Sequence, residues 1–129
     1  MKQCIVSPNG PPAAGPYSAA VRAGNLLFIS GQGSLARDGS GYVAGTIEEE
    51  SRNALENLKV ILQDAGLGLE NVVKTTVFLR DMADFSRFNT LYKEYFTWDC
   101  PARTCIAAAG LPLGMQVEIE AIAAFPEEK

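Results

Sequence analysis

Histidine is absent from this 129-residue chain. Its absence removes Ser-His-Asp and Cys-His nucleophile systems, and with them the commonest general base and the commonest metal ligand. Any catalysis has to rely on carboxylates, tyrosines, lysines, thiols, backbone dipoles or bound water. Cysteine is scarce and odd in number (Cys4, Cys100 and Cys105). With nothing that marks secretion, a disulfide framework is not expected, and a reduced, cytoplasmic setting fits. No apolar run approaches the roughly 20 residues that cross a bilayer, so no membrane partner is expected. The N-terminal stretch MKQCIVSPNGPPAAGPYS lacks the apolar core of a signal peptide and the Arg-rich, acid-poor look of a transit peptide. Basic clusters are missing too. The 11 Lys and Arg are scattered singly against 15 Asp and Glu, a net charge of −4, whereas a protein that tracks nucleic-acid phosphates shows a basic face. What remains, 47% hydrophobic and 20% charged, suits one globular domain over residues 1–129 with one core.

Along the chain, PNGPPAAGP at 8–16 cannot be regular structure, because proline fixes φ and removes donors, and the segment reads as a loop that positions Tyr17. SAAVRAGNLLFIS at 18–30 reads as two strands around a Gly24-Asn25 turn. Residues 33–45, rich in Gly and Ser, read as a surface loop. Thr46-Ile47-Glu48-Glu49 matches a capping box, and the acids suit the positive end of a helix dipole. Ala54, Leu55, Leu58, Ile61, Leu62 and Ala65 then recur on one helical face, and Gly66 is a natural stop. VVKTTVFLR at 72–80 is β-branched and aromatic, hence a strand. A second helix starts near Asp84 and buries Phe85, Phe88, Leu91, Tyr92, Tyr95 and Phe96, ending before Pro101. A short strand follows over 103–109, a turn at LPLG (111–114), and a last strand over 116–125. On that strand Val117, Ile119, Ala121 and Ala123 share one face, and Glu118, Glu120 and Ile122 share the other. This order gives an α+β fold with two helices packed on one face of the sheet. The other face mixes small, apolar and polar residues and reads as a subunit interface.

Four features carry possible chemistry. Gly31-Gln32-Gly33-Ser34-Leu35-Ala36 resembles a dinucleotide fingerprint, but RDGSG follows instead of a helix, so no helix N-terminus faces a pyrophosphate. Cys100 and Cys105 have poor zinc spacing and no histidine beside them, and Cys105 lacks a partner base, so both side chains read as small packing residues. Glu118 lies within an apolar strand and must sit at a rim, be paired, or be functional. Arg103 either makes an ordinary salt bridge or clamps a carboxylate with its planar fork.

Taken together and in order, GPYSAAV (15–21), LFISGQ (27–32), VVKTTVFL (72–79), FNTLY (88–92), PARTC (101–105) and VEIEAIA (117–123) resemble the reactive-intermediate deaminase family (RidA, YjgF), also labelled endoribonuclease L-PSP. The resemblance covers nearly the whole chain. It implies a chorismate-mutase-like mixed β-sheet with two helices on one face, assembled as a trimeric barrel with a ligand cleft at each subunit interface. It implies hydrolysis of 2-imino acids and their enamine tautomers, such as 2-aminoacrylate, to 2-oxo acids and ammonia. Such intermediates escape from pyridoxal-phosphate enzymes, and the family needs neither metal nor cofactor. Arg103 matches the carboxylate clamp and Glu118 the acid that positions water. Cys105 matches a backbone donor, and Tyr17, Ser30, Gly31 and Asn89 match other cleft positions. Two positions depart from the pattern. Gly33 stands where a larger apolar residue is usual, which implies a wider or looser wall. Cys100 stands where an aromatic is expected, with Trp98 nearby to compensate. The resemblance leaves two other functions open: a ribonuclease that inhibits translation, and a non-catalytic metabolite-binding or chaperone-like trimer.

Overall fold

Helix α1 (Ile47–Asp64) is bounded by the two devices visible in its sequence. Thr46 Oγ1 accepts from the Glu49 N–H at 3.1 Å while the Glu49 carboxylate accepts from the Thr46 N–H at 2.8 Å, which satisfies two orphan donors reciprocally. At the far end Gly66 turns left-handed (φ +81°). The Leu67 N–H then reaches the Leu62 carbonyl and the Gly66 N–H that of Gln63, closing a Schellman turn. Between the caps, Ala54, Leu55, Leu58, Ile61 and Leu62 are fully buried. Truncating one of the large members of this stripe to alanine would cost about 2–5 kcal/mol.

The stripe rests on a six-stranded sheet in a computed structural model that describes residues 1–127. Strands β1 (Lys2–Ile5), β2 (Ala20–Ala23), β3 (Leu26–Gln32), β4 (Val72–Leu79), β5 (Ala102–Ala107) and β6 (Val117–Ala124) lie in the order β1-β2-β3-β6-β4-β5. Only β4 and β5 are parallel, and helix α2 (Phe85–Tyr95) is the crossover that parallel neighbours require. The last strand slots between β3 and β4, antiparallel to both. Val117, Ile119, Ala121 and Ala123 of β6 are buried under the helices, and α2 adds Phe88, Leu91 and Tyr92 to the same core. The result is the expected α+β architecture, a mixed sheet with two helices on one face. On the opposite face Phe28 is left 42% exposed beside Ile122, among Lys74, Thr76 and Glu120. No helix among the described residues is long and apolar enough to cross a membrane.

Three local expectations change. Strand β1 is not visible in the sequence, because three of its four residues, Lys2, Gln3 and Cys4, are exposed and show no apolar alternation. It forms because the edge of β2 offers a ladder from Lys2↔Ala23 to Ile5↔Ala20. The Gly- and Ser-rich stretch 33–45 is not simply a surface loop: Gly33 and Ser34 are buried. Helix α1 holds them there, since Asn53 Nδ2 donates to Ser34 Oγ at 2.9 Å and Asn57 Nδ2 to the Gly33 carbonyl at 3.1 Å. Cys100 is exposed rather than packed. Asp99 takes φ +54°, which turns the chain outward, and the Cys100 thiol donates to the Phe96 carbonyl at 3.4 Å at the end of α2. Trp98, 81% exposed, fills no space on its behalf within the chain.

Candidate active site

Strand β3 is irregular where the candidate residues begin. Ile29 pairs with Ala121 and Gln32 with Ile119, so Ser30 and Gly31 together oppose Glu120 alone. Two residues facing one make a β-bulge, which bends a strand and re-aims its side chains. Ser30 is fixed at both ends, its Oγ donating to the Ser18 carbonyl at 2.7 Å and its N–H to that of Ala19 at 3.0 Å. Gly31 is bare for a steric reason. A Cβ there would fall 2.6 Å from Glu118 Oε1 and 2.8 Å from Cδ, so the Glu118 carboxylate lies directly across the Gly31 backbone. Burial, and then the like charge of Glu120, push the Glu118 carboxyl above its ordinary range.

Tyr17 faces the same space. As the proline-rich segment implies, it ends an anchored loop: the Ala14 N–H donates to its Oη at 3.1 Å. Tyr17, Ser30, Gly31 and Glu118 line a cavity of about 540 Å³. One end is polar, with Ser30, Glu118 and Glu120. The other is apolar, with Leu35, Pro112, Leu113 and Met115. Leu113 holds its position at φ +60°, a strained conformation for a branched side chain, and stays 67% exposed at the cavity lip.

A second cluster gathers Arg103, Asn89 and Cys105. Arg103 Nη1 donates to Asn89 Oδ1 at 2.6 Å, and the guanidinium carbon lies 4.7 Å from the centre of the Tyr92 ring. Tyr92 is fixed in turn by a 2.8 Å hydrogen bond shared with Thr75. The guanidinium is thus oriented by an amide and an aromatic face, and no carboxylate pairs with it among the described residues. An ordinary salt bridge does not account for Arg103. Burial pushes the Cys105 thiol up, against the opposing pull of Arg103, so the thiol stays protonated and is a poor nucleophile. Its main chain is better placed. The Ala108 N–H donates to the Leu79 carbonyl across the parallel ladder. Strand alternation therefore turns the N–H groups of Arg103 and Cys105 toward the open edge of β5.

The two clusters lie on opposite faces of the sheet. Arg103 pairs with Thr75, which pairs with Ala121 on the helix-covered side, whereas Glu118 pairs with Phe78 on the other. One chain therefore brings Tyr17, Ser30, Gly31 and Glu118 together, brings Arg103, Asn89 and Cys105 together, and does not bring the groups to each other. Two contributors escaped the sequence reading. The apolar wall from Leu35, Pro112, Leu113 and Met115 comes from two loops, which carry no periodicity to reveal it. Glu50 reads as one more acid of a helix first turn, yet it is fully buried and accepts from Tyr42 Oη at 2.6 Å and the Gln116 N–H at 3.0 Å. Its spacing four residues before Ala54, on the apolar stripe, was the available signal.

This combination of fold and residues matches known proteins along almost the entire chain. A model of the endoribonuclease L-PSP family matches residues 7–125. The chain belongs to that family. A RutC family protein of Pyrococcus horikoshii is 46% identical over 95% of this chain and 98% of its own. The mouse protein named 2-iminobutanoate/2-iminopropanoate deaminase is also 46% identical, over 95% of this chain and 91% of its own. Among solved structures, E. coli TdcF with bound serine superposes with a TM-score of 0.90 at 35% identity, covering 96% of this chain and 99% of the other. The L-PSP family is thus the reactive-intermediate deaminase family that the six sequence segments resemble. In this L-PSP member the Gly33 departure has a structural answer: Met115 fills the space, its Sδ lying where a Cβ on residue 33 would clash. The wall is filled from another loop rather than loosened.

Proposed function

We propose that this protein hydrolyses small 2-imino acids and their enamine tautomers to 2-oxo acids and ammonia. The observation that carries the reading is Arg103: an oriented guanidinium with no carboxylate partner among the described residues, beside the edge N–H of Cys105. That pair suits one substrate carboxylate, held by the fork and by a backbone donor. The relatives' names point to the same substrates, since the mouse protein is named for two imino acids and TdcF was solved with serine, an amino acid of similar size.

The chemistry asks little of the protein. A protonated imine is already electrophilic at C2, so orientation and a placed water supply most of what is needed. Glu118 accepts a proton as the water oxygen bonds to C2 and passes it to the nitrogen. It then takes the proton of the new hydroxyl as the C–N bond breaks and C=O forms, and that proton leaves with the ammonia as ammonium. Its raised pKa suits this exchange near neutral pH better than an ordinary carboxylate would. Tyr17, Ser30 and Gly31 shape the pocket around the reacting carbon. No metal or organic cofactor enters any of these steps.

Because Arg103 and Glu118 lie on opposite faces of one sheet, the reading requires two chains, the clamp of one meeting the acid of its neighbour. A homotrimer whose partly apolar sheet faces, with Phe28 and Ile122, turn inward meets that need. Pyridoxal-phosphate dehydratases that release 2-aminoacrylate or 2-iminobutanoate are the enzymes it would serve, in the cytoplasm. A ribonuclease reading gains nothing from the cavity, whose charges are Glu118 and Glu120 and would repel phosphate.

The test couples the protein to a threonine or serine dehydratase and follows 2-oxo acid release. Release should exceed the spontaneous rate, and Arg103→Ala should remove most of the gain, about 10–100-fold for a lost charge-assisted clamp. Release no faster than in buffer would refute the reading.

A further inference from the structure

We infer that Gly33 and Met115 together set which substrate side chains the cavity admits, with the Met115 thioether as its adjustable wall. The inference rests on the imine-hydrolase reading, and it goes further in assigning the apolar end of the cavity to the substrate's side chain.

Gly33 is not a glycine for conformational reasons, since its φ lies outside the left-handed region. It is a glycine because of Met115. A Cβ on residue 33 would fall 2.3 Å from Met115 Sδ, 2.9 Å from Cε and 3.2 Å from the Val117 carbonyl oxygen. The Met115 side chain, only 3% exposed, is tucked against the bare backbone of residue 33, and it also forms part of the cavity wall beside Leu35 and Leu113.

Neither backbone can yield easily. The Gly33 carbonyl accepts from Asn57 at 3.1 Å, and that of Leu35 accepts from the same amide at 2.9 Å. Val117 is anchored in the sheet opposite Leu79, and the Gln116 N–H is bound to Glu50 at 3.0 Å. A side chain at 33 must therefore displace the thioether, the one flexible partner in the contact. The interior is close-packed, so the open volume beside it is the cavity.

The direction of each change follows. Any residue larger than glycine at 33 drives Met115 into the cavity and shortens its apolar end. A smaller residue at 115 deepens that end.

The test generates imines in situ from alanine and from leucine with an L-amino-acid oxidase and catalase. It compares kcat/KM for the leucine-derived imine with kcat/KM for the alanine-derived one. Gly33→Ala should lower this ratio about tenfold and Met115→Ala should raise it by a similar factor, the usual worth of a methylene or two in an apolar pocket. The double variant should return toward the wild-type ratio. If Gly33→Ala does not fold, Met115→Ala and Met115→Val carry the test alone. Folded variants that keep the wild-type ratio while still hydrolysing the alanine-derived imine would overturn the inference and leave the proposed reaction standing. Wild-type protein that accelerates neither imine would overturn both.

Discussion

At the scale of single residues, Glu118 sets stability against chemistry. Its carboxyl is half-buried across Gly31 and beside Glu120, and both burial and the like charge favour the protonated form. Folding thus raises its pKa, so stability contributed by the protonated acid is lost as pH rises from the ordinary glutamate range through the raised value. Glu118→Gln removes that cost and the proposed proton acceptor together. Its melting temperature at neutral pH should match or exceed wild type, while imine hydrolysis should fall about 10²–10⁴-fold. The acid limb of the wild-type pH–rate profile should lie above the ordinary glutamate range, and Glu120→Gln should move it to lower pH. A limb indifferent to residue 120 would mean that another group accepts the proton. Chemistry alone left both Arg103 and Glu118 with ordinary alternatives. Only their neighbours separate the readings, because what decides is whether a carboxylate reaches Arg103 and what lies under Glu118.

At the scale of elements, α1 does more than cover the sheet. Along one side it presents Glu50, Asn53 and Asn57, each gripping a loop that frames the cavity. Burial pushes the Glu50 carboxyl up, but hydrogen bonds from Tyr42, Gln116 and Gly45 outweigh it and hold the group below its ordinary value. The sign is opposite to that of Glu118. The stability Glu50 supplies is present above its unfolded pKa and is lost as pH falls through the depressed folded value. Glu50→Gln should therefore melt lower than wild type at pH 7, with the two curves converging as pH falls below the ordinary glutamate range. A gap that persists unchanged in acid would mean that the ionised form adds nothing. The ends of α1 were legible because caps are local: the Thr46–Glu49 box and the Gly66 stop need no knowledge of the rest of the fold. The burial of Ser34 and the pairing of β1 were not, because each depends on a partner distant in sequence, α1 in one case and the edge of β2 in the other.

At the scale of the whole molecule, alternation along β6 told which of its residues face the core, but nothing local told that β6 inserts between β3 and β4. That insertion puts Glu118 opposite Phe78 and away from Arg103, and so makes the proposed site a shared one. Mixing separates a shared site from a self-contained one. Arg103→Ala and Glu118→Gln proteins, each strongly impaired alone, should regain about a quarter of wild-type activity when unfolded together and reassembled one to one. In a three-fold ring, every mixed trimer rebuilds one intact site in three. No recovery from properly assembled mixed trimers would place clamp and acid in the same chain.

The face-to-face separation of Arg103 and Glu118 also bears on the life of a newly made chain. On the proposed assembly, a chain leaving the ribosome folds with both halves of the machinery finished and neither able to act. Synthesis alone confers no activity; encounter with two siblings does. Output would then rise more steeply than copy number while copies are few, and proportionally once assembly is complete. A cell would gain protection against reactive imines only after its stock of this protein passes a threshold.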